Sequence, residues 1–531
     1  MSELASEPVS TVRGTERILV SGDYVVTLGE PAVLTDGAII VEDGRITEAG
    51  PRAVLDGHGP FSQRLGGPGF LLLPGFVNAH YHTECWTARG LIGTIFEYTN
   101  LFIGAGAPAV DPEALELLAT VGLVHAARGG ATTLIDAFYG KPAMDLLGAE
   151  PVLRAYEKTG LRAALGVTLR DQNIYAHEDD RAFLSRLPAS VAAEVSQSPL
   201  GYAWPVDHVL EVFGRLHERW HDRDGRFRFL LAPDWTPACS DDLFRRARRT
   251  ADDYGVGLTT HVLETRSELM WNLETYGKPA VRRLLDLGVL RDDVSFGHFV
   301  WATDEDIRIV ADTGVVVASN PGSNLRLSSG IARVRDLLTA GASVAYGTDG
   351  ISFSDREDMF QEVRLAAYLQ RQPDVFAEHR LDSERLLRTA ADAGARAAGF
   401  GGLLGRLAPG YRADVLLLRT GGLFFPPGRL DGVPVLDVLL DRASAQDLDT
   451  VLVDGKTVVS GGRMVTVDED KLRDRLLELA DRLYPVHPQS SRLFELAGLL
   501  LPHAQSIYDR WYQVPVEAPA SVYNTRRPPR G

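Results

Sequence analysis

The feature of this sequence that most limits its fold is a repeated order of strand and helix in the middle of the chain. Eight apolar runs rich in β-forming residues alternate with stretches of helical periodicity. The runs lie at residues 71–82, 131–136, 162–169, 227–232, 257–261, 294–298, 314–319 and 343–349. Because eight strand–helix units close into a barrel, we predict an α/β fold of the (β/α)8 TIM-barrel type. A doubly wound open sheet is the alternative, but no Gly-x-Gly-x-x-Gly or Walker-type loop supports it.

Short β-type runs near both chain ends predict a second, smaller domain. Residues 17–49 have the pattern of strands separated by turns, and similar runs return at 410–418 and 451–459. Because these regions bracket the barrel, we predict a small β-sandwich domain built from both chain ends. The predicted division is 1–66 for the first part of the β-sandwich, 67–403 for the barrel, 404–467 for the second part of the β-sandwich, and 468–531 for a helical extension and tail.

Two regions do not contribute strands to either predicted domain. Residues 171–226 are long and loop-like with one embedded helix, and we expect them to cover the barrel mouth. Residues 468–512 show two amphipathic helical patterns. We expect the C-terminal extension to make an oligomer or domain contact and not to carry chemistry, and we expect the protein to be a homodimer or a higher homo-oligomer.

Charge and cysteine content limit the partners and the compartment. A formal net charge of -16 argues against a nucleic-acid partner, whose phosphates require a basic surface. Two cysteines, Cys85 and Cys239, are too few for a disulfide framework or a cysteine-rich zinc site, and they suit a reducing compartment. Residues 1–16 are polar, and no apolar run approaches the length of a membrane span. We therefore predict a cytoplasmic protein that binds neither nucleic acid nor a membrane.

Metal-binding residue types stand at the ends of four predicted strands. His80 and His82 are two residues apart, so in a strand both side chains point to the same side. His261, His298 and Asp349 end three further strands. In a (β/α)8 barrel the C-terminal strand ends meet at one mouth, where active sites lie. Imidazole and carboxylate ligands suit Zn²⁺ or Fe²⁺, so we predict a divalent metal site with an open position for water.

Several motifs in this chain resemble those of the amidohydrolase superfamily. They are Pro-Gly-Phe-Val-Asn-Ala-His-Tyr-His at 74–82, His-Val-Leu-Glu at 261–264, Gly-His at 297–298 and Gly-Thr-Asp-Gly at 347–350. The segments 319–330 and 359–366 are similar to the loop after the seventh strand, and to the next helix, of the branch that contains cytosine deaminase, guanine deaminase and triazine hydrolase. The combined motifs are specific for the superfamily but much less specific for the substrate.

The resemblance implies a mononuclear site whose metal ligands are His80, His82, His261 and Asp349. It also implies that Glu264 is a proton shuttle, although a carboxylate is favourable at the start of a helix without any catalytic role. His298 would hydrogen-bond the attacked atom or the metal water, and Asp349 would also accept a hydrogen bond from the attacking hydroxide. The implied enzyme is a metal-dependent aminohydrolase, or deaminase, that uses a metal-activated hydroxide to replace an amino group on a nitrogen heterocycle with oxygen.

Three residues are candidates for binding the substrate. Asp234 could pair with a basic or N–H-rich ligand, or it could cap the start of a helix. Arg170 could bind an acidic or carbonyl group of the substrate, or it could form a surface salt bridge. Trp86 could line the pocket or serve only in packing. Some purine-processing members of the branch carry a Pro-His-Ala-Pro-Tyr type of segment, and its absence from 232–240 argues against an adenosine-type substrate.

Two other functions fit the same scaffold. Hydrolysis of an amide, or displacement of a chloride or alkylamine, would use the same metal site on a different bond. A catalytically silent binding protein would be expected if a predicted metal ligand or Glu264 were missing, but all of them are present. We therefore predict a hydrolase acting on C–N bonds other than peptide bonds, of the cyclic amidine deaminase type.

Overall fold

The structure is a computed structural model that describes residues 16–83, 95–97, 111–140, 146–198, 200, 204–350, 356–371, 381–424, 432, 434–483 and 491–513. Its strands are β1 Arg17–Val26, β2 Val33–Glu42, β3 Arg45–Pro51, β4 Gln63–Pro74, β5 Phe76–Tyr81, β6 Ala131–Phe138, β7 Arg162–Leu169, β8 Phe227–Pro233, β9 Leu258–Val262, β10 Val294–His298, β11 Val316–Ser319, β12 Ser343–Tyr346, β13 Val415–Arg419, β14 Leu448–Val453, β15 Lys456–Ser460 and β16 Arg463–Met464. No helix in this part of the chain has the length and apolar character that a membrane span requires.

The α-helices follow most of the barrel strands and continue into the C-terminal region. They are α1 Arg52–Leu55, α2 Pro112–Arg128, α3 Leu146–Thr159, α4 Asp180–Leu184, α5 Ala189–Gln197, α6 Val206–Trp220, α7 Asp241–Tyr254, α8 Arg266–Tyr276, α9 Ala280–Asp286, α10 Asp304–Thr313, α11 Pro321–Arg326, α12 Val334–Thr339, α13 Met359–Leu369, α14 Ser383–Arg388, α15 Gly394–Ala397, α16 Val435–Arg442, α17 Glu469–Leu483 and α18 Arg492–Tyr512. Polar N-caps begin several of them: Ser240, Thr265 and Thr303 each accept a hydrogen bond from a backbone N–H in the first turn.

Strands β5 to β12 form one parallel sheet in which neighbours along the chain are also neighbours in space. The chain after β12 returns to β5, where the backbone N–H of Asp349 donates to the carbonyl oxygen of His80 at 2.9 Å. Small and branched apolar side chains fill the space inside, among them Val77, Ile135 and Ala164. The predicted (β/α)8 barrel is therefore confirmed.

A second sheet joins the two ends of the chain. Its strand order is β16-β15-β14-β13-β4-β1-β2-β3, and β4 pairs antiparallel with β13, with Leu72 opposite Leu417. Alternate residues of these strands pack into one apolar core that includes Val25, Leu72 and Leu417. The predicted combination of a barrel with a smaller β domain made from both chain ends is confirmed, and the division at residues 66, 403 and 467 stays a prediction.

The predicted first barrel strand, 71–82, proves to be two strands in different sheets. Residues up to Pro74 belong to β4 of the smaller domain, and only Phe76–Tyr81 belongs to the barrel. Gly75 lies between them, and a Cβ at this position would come within 2.4 Å of the Thr132 side chain. Because proline donates no N–H and glycine needs little room, the Pro-Gly pair lets the chain pass closely from one sheet to the next.

The region between β7 and β8 is more ordered than the sequence predicts. The described part of residues 171–226 contains three α-helices, α4 to α6, where one embedded helix is predicted. The C-terminal helix α18 packs against the first part of this region and against α8. The C-terminal extension therefore makes a contact within its own chain.

Candidate metal centre and active site

Four histidines and one aspartate meet at the C-terminal ends of the barrel strands. The residues are His80 in β5, His82 just after it, His261 in β9, His298 at the end of β10, and Asp349 after β12. All five side chains are buried. Possible ligand atoms lie within 4.8 Å of one another in two overlapping groups, His80 with His82 and Asp349, and His80 with His261 and His298. The structure thus brings together every strand-end residue that the sequence singled out for metal binding.

The backbone at three of these strand ends adopts a left-handed conformation. Leu263, His298 and Asp349 have φ angles of +55°, +70° and +60°. Residues other than glycine adopt such angles rarely, and each costs about 1–3 kcal/mol unless the surroundings impose it. Backbone strain of this kind is concentrated at functional sites. Here the three left-handed residues turn the chain at the ends of β9, β10 and β12.

The hydrogen bonds of two histidines fix which ring nitrogen is free. The Nδ1–H of His82 donates to the carbonyl oxygen of Ala137 at 2.7 Å, and the Nδ1–H of His261 donates to that of Asp234 at 2.6 Å. A carbonyl oxygen can only accept, so in each neutral ring the lone pair lies on Nε2. These two Nε2 atoms are 3.2 Å apart, and an Asp349 oxygen is 3.4 Å from that of His82. Electron pairs placed so closely repel one another unless a cation lies between them.

His80 completes the group with two buried ring nitrogens that have no hydrogen-bond partner in the part of the chain that the structure describes. Burial lowers the pKa of His80 well below the usual value, and neighbouring imidazoles lower it further. The ring is therefore neutral and able to coordinate. A buried nitrogen without a partner costs about 1–3 kcal/mol, which a bound cation would offset. Neutral imidazoles with one carboxylate form a donor set that suits zinc or ferrous iron.

The carboxylate of Asp349 is held in place by two donors. The hydroxyl of Ser323 donates to Oδ2 at 2.6 Å, and the backbone N–H of Gly350 donates to Oδ1 at 2.7 Å. Oδ2 is also 3.8 Å from the Nε2 of His298. The carboxylate can therefore present one oxygen to His82 while the other faces His298. Ser323 lies in α11, inside the segment 319–330 that resembles a family motif, although that resemblance implies no individual role for it.

Glu264 is buried beside this group, and no described residue forms a hydrogen bond with its Oε2. That oxygen lies 3.6 Å from the Nε2 of His298. Burial raises the pKa of Glu264 well above the usual value, and the nearby carboxylates of Asp349, Glu268 and Glu97 raise it further. A carboxyl group with a raised pKa can hold a proton near neutral pH and release it to a substrate.

His298 is fixed from the side opposite to Glu264. Its Nδ1 is 2.9 Å from the Oδ1 of Asn324 and 3.3 Å from the Nδ2 of Asn320. Burial lowers the pKa of His298 to about 4, so the ring is neutral at physiological pH. The Nε2 atom then faces Glu264 and Asp349, in reach of a water or a substrate atom between them.

Of the three predicted substrate-binding residues, the structure describes two. Arg170 and Asp234 form a mostly buried ion pair with each other. The guanidinium of Arg170 also lies over the ring of Tyr139, which packs beside His82. The short helix Thr236–Ala238 begins after Trp235, so Asp234 is not a helix cap. Trp86 lies outside the described residues, and the roles of Arg170 and Asp234 toward a substrate stay predictions.

The chain is similar in sequence and structure to known proteins of one enzyme family. A sequence model described as the amidohydrolase family matches residues 71–458. The chain is 30% identical over 472 residues to a 5-methylthioadenosine/S-adenosylhomocysteine deaminase from Syntrophomonas wolfei, which covers 88% of this chain and 99% of the relative. It is 28% identical, with the same coverage, to a 5'-deoxyadenosine deaminase from Methanopyrus kandleri. The crystal structure of an adenosine deaminase from Xanthomonas campestris with bound zinc matches with a TM-score of 0.76 at 27% identity, over 88% of this chain and 99% of that one.

Proposed function

The chain belongs to the amidohydrolase family, and we propose that it is a zinc-dependent deaminase of adenosine-type nucleosides. It is a hydrolase acting on C–N bonds other than peptide bonds, and it replaces an amino group on a nitrogen heterocycle with oxygen. The observation that carries the proposal is the meeting of imidazole and carboxylate donors with the buried carboxyl group of Glu264 at one barrel mouth.

The choice of adenosine-type substrates is supported by the relatives. The two curated relatives are named as deaminases of 5-methylthioadenosine and S-adenosylhomocysteine, and of 5'-deoxyadenosine. The sequence argument against such substrates was the absence of a Pro-His-Ala-Pro-Tyr type of segment from residues 232–240. Asp234 in that segment is buried and paired with Arg170, and the deaminases that the chain matches are the ground for preferring adenosine-type substrates here.

The proposed zinc ligands are His80, His82, His261 and Asp349. The close approach of the two Nε2 atoms and the carboxylate oxygen supports a single cation between them. Zinc is preferred over iron because the similar adenosine deaminase structure holds zinc. When bound, the ion lowers the pKa of a water molecule and polarises the attacked centre.

Residues of the chain supply the proton transfers. A water molecule attacks the ring carbon that bears the amino group, and its oxygen forms the new C–O bond. Glu264 carries one of the water protons to the adjacent ring nitrogen, and the second water proton ends on the departing nitrogen. The C–N bond then breaks and ammonia leaves. The raised pKa of Glu264 suits this exchange, because the group must hold a proton and then release it.

Asp349 and His298 orient the reactants in this proposal. Asp349 accepts a hydrogen bond from the attacking water, and its own position is fixed by Ser323. His298 lies between the Glu264 and Asp349 carboxyl groups, where it contacts the attacked centre. Asn324 holds the His298 ring from behind, so the imidazole keeps one orientation during the reaction.

A substrate panel tests the function. Purified, zinc-loaded protein is incubated with adenosine, 5'-deoxyadenosine, 5'-methylthioadenosine, guanine, cytosine, aminotriazines and open-chain amides, and ammonia release is measured. We expect release from at least one adenosine derivative, and none from the amides. Glu264→Gln protein loaded with the same metal is the matched control for contaminating deaminases. Efficient cleavage of the amides with no release from any heterocycle would refute the proposal and favour an amidase.

The remaining parts of the proposal concern the environment of the protein. Small-molecule substrates are a property of the deaminases that this chain matches. We propose in addition a cytoplasmic homo-oligomer, at least a homodimer, that does not bind nucleic acid. The net charge of -16 supports the last point. Light scattering on the eluting protein would give the oligomeric state, and a mass of about one chain would reject the oligomer.

A further inference from the structure

The C-terminal helix α18 lies beyond residue 458, where the family match ends. It packs over the region after β7 and over α8, and these segments share one apolar core. That core includes Leu496, Leu500, Ile507 and Trp511 from α18 with Phe183 and Trp271 from the segments beneath. The helix is thus fixed on the side of the barrel where the strands end.

Two tyrosines of α18, one helical turn apart, reach two different barrel loops. The hydroxyl of Tyr508 lies 2.9 Å from the Nδ1 of His177, a residue in the region after β7. The hydroxyl of Tyr512 donates to the Oε1 of Glu97 at 2.9 Å. Residues four apart lie on the same face of a helix, so one face makes both contacts.

Both contacted residues lie close to the reaction centre. The ring of His177 packs edge-on against Trp235 at 4.6 Å, and Trp235 is paired in the sheet with His261. Glu97 accepts a second hydrogen bond, at 2.6 Å, from the hydroxyl of Ser267 in the first turn of α8, the helix that follows β9. Its charge is also near enough to raise the pKa of Glu264. A single residue, His177 for Tyr508 and Glu97 for Tyr512, therefore lies between each tyrosine of α18 and the groups around the metal site.

His177 has one ring nitrogen that no residue described by the structure satisfies. Its Nδ1 faces Tyr508, whereas its Nε2 is buried and has no hydrogen-bond partner among the described residues. Burial lowers the pKa of His177 to about 3, so the ring is neutral. Buried polar atoms are nearly always paired, so an unpaired one beside an active site is a candidate for a hydrogen bond with a bound ligand. A neutral imidazole nitrogen pairs with an uncharged polar group such as a hydroxyl.

We propose that α18 is a wall of the substrate pocket and that His177 is a substrate-positioning residue. In this arrangement Tyr508 holds the His177 ring against Trp235, and the Nε2 atom hydrogen-bonds an uncharged polar group on the substituent that the reacting ring carries. Tyr512 holds the Glu97 carboxylate beside the same space. The inference rests on the proposed function only for the choice of test substrates.

Kinetics on a matched pair of substrates tests the inference. The pair is adenosine and adenine, which share the reacting ring but differ in the polar substituent. His177→Phe keeps an aromatic ring against Trp235 and removes both nitrogens, and Tyr508→Phe removes only the hydroxyl. We expect KM for adenosine to rise about 10-fold in both variants, because each loses the equivalent of one hydrogen bond. The kcat value for adenosine and both constants for adenine should stay within about 2-fold of those of the unaltered protein.

Tyr368→Phe is the control, since that tyrosine donates to Asp441 away from α18. It should change neither constant, and all variants should keep the metal content and thermal midpoint of the unaltered protein. Equal changes with adenosine and adenine, or no change in either variant, would overturn the inference and leave the deaminase assignment intact. If no heterocycle is deaminated, the proposed function falls, and calorimetric binding of adenosine and adenine decides the inference. In that case the inference stands only if His177→Phe weakens the binding of adenosine and leaves the binding of adenine unchanged.

Discussion

Substitution of Ser323 by alanine tests whether Asp349 acts as a metal ligand. The Ser323 hydroxyl donates to Oδ2 of that carboxylate at 2.6 Å, and both side chains are buried. A hydrogen bond to a charged group is worth about 1.5–3 kcal/mol, and partners that orient metal ligands typically contribute 10- to 100-fold in affinity. We therefore expect Ser323→Ala to weaken zinc binding about 10- to 100-fold while the protein stays folded. Competition with a chromophoric chelator at fixed pH gives the zinc dissociation constant.

Ser319 offers a matched control for this experiment. It stands at the end of β11, four residues before Ser323, and its buried hydroxyl has no hydrogen-bond partner within the described ranges. Ser319→Ala therefore removes the same atoms from the same neighbourhood without removing a hydrogen bond to Asp349. Its zinc affinity should equal that of the unaltered protein. The reasoning is refuted if Ser323→Ala binds zinc as tightly as the unaltered protein, or if both alanine variants weaken binding equally.

Three further predictions concern the metal, the proton and the pH dependence. Elemental analysis should find about one zinc or iron per chain, and His82→Ala should lose most of it; two tightly bound ions would contradict the mononuclear assignment. Glu264→Gln should keep its metal while turnover falls at least about 10²-fold, and near-normal turnover would reduce Glu264 to a structural residue. Burial raises the pKa of Glu362 from a usual 4.5 to about 8. Between these two pH values the folded state keeps a proton that the unfolded state loses. The contribution of Glu362 to the free energy of unfolding therefore falls as pH rises from about 4.5 to about 8. Glu362→Gln should flatten that decline in chemical denaturation, and an unchanged slope would count against it.

The metal-site residues are predictable because they follow local rules. The alternation of side chains in a strand places His80 and His82 on one side, and a barrel brings strand ends together whatever the loops do. His261, His298 and Asp349 could therefore be grouped without any knowledge of long-range contacts. The one error in this region, a single strand at 71–82, arose because both halves are apolar. Nothing in hydrophobicity alone tells which sheet an apolar residue enters.

The residues that surround the metal site are not predictable in this way. Tyr512 and Glu97 are separated by 415 positions, and His177 and Tyr508 by 331. Neither pair has a periodic pattern or a local motif, because each contact depends on how two distant segments pack. The pairing of Arg170 with Asp234 is similar, since the sequence shows two charged strand-end residues but not that they neutralise each other. Sequence periodicity therefore predicts the residues that can donate to a metal ion. The residues that hold those side chains in place are recognised only from the three-dimensional packing.

The sheet that joins the chain ends has a consequence for how the protein is made. Strand β4 ends at Pro74 and its partner β13 begins at Val415, so about 340 residues leave the ribosome between them. At about 5–20 residues per second, the edge of β4 waits roughly 17 to 70 s for its partner. During that time the nascent chain exposes one open edge of β4, an apolar strand that pairs with β1 on its other edge and is directly continuous with the first barrel strand. We expect this interval to be when the polypeptide most needs a chaperone, because an open strand edge of this kind can pair with another chain.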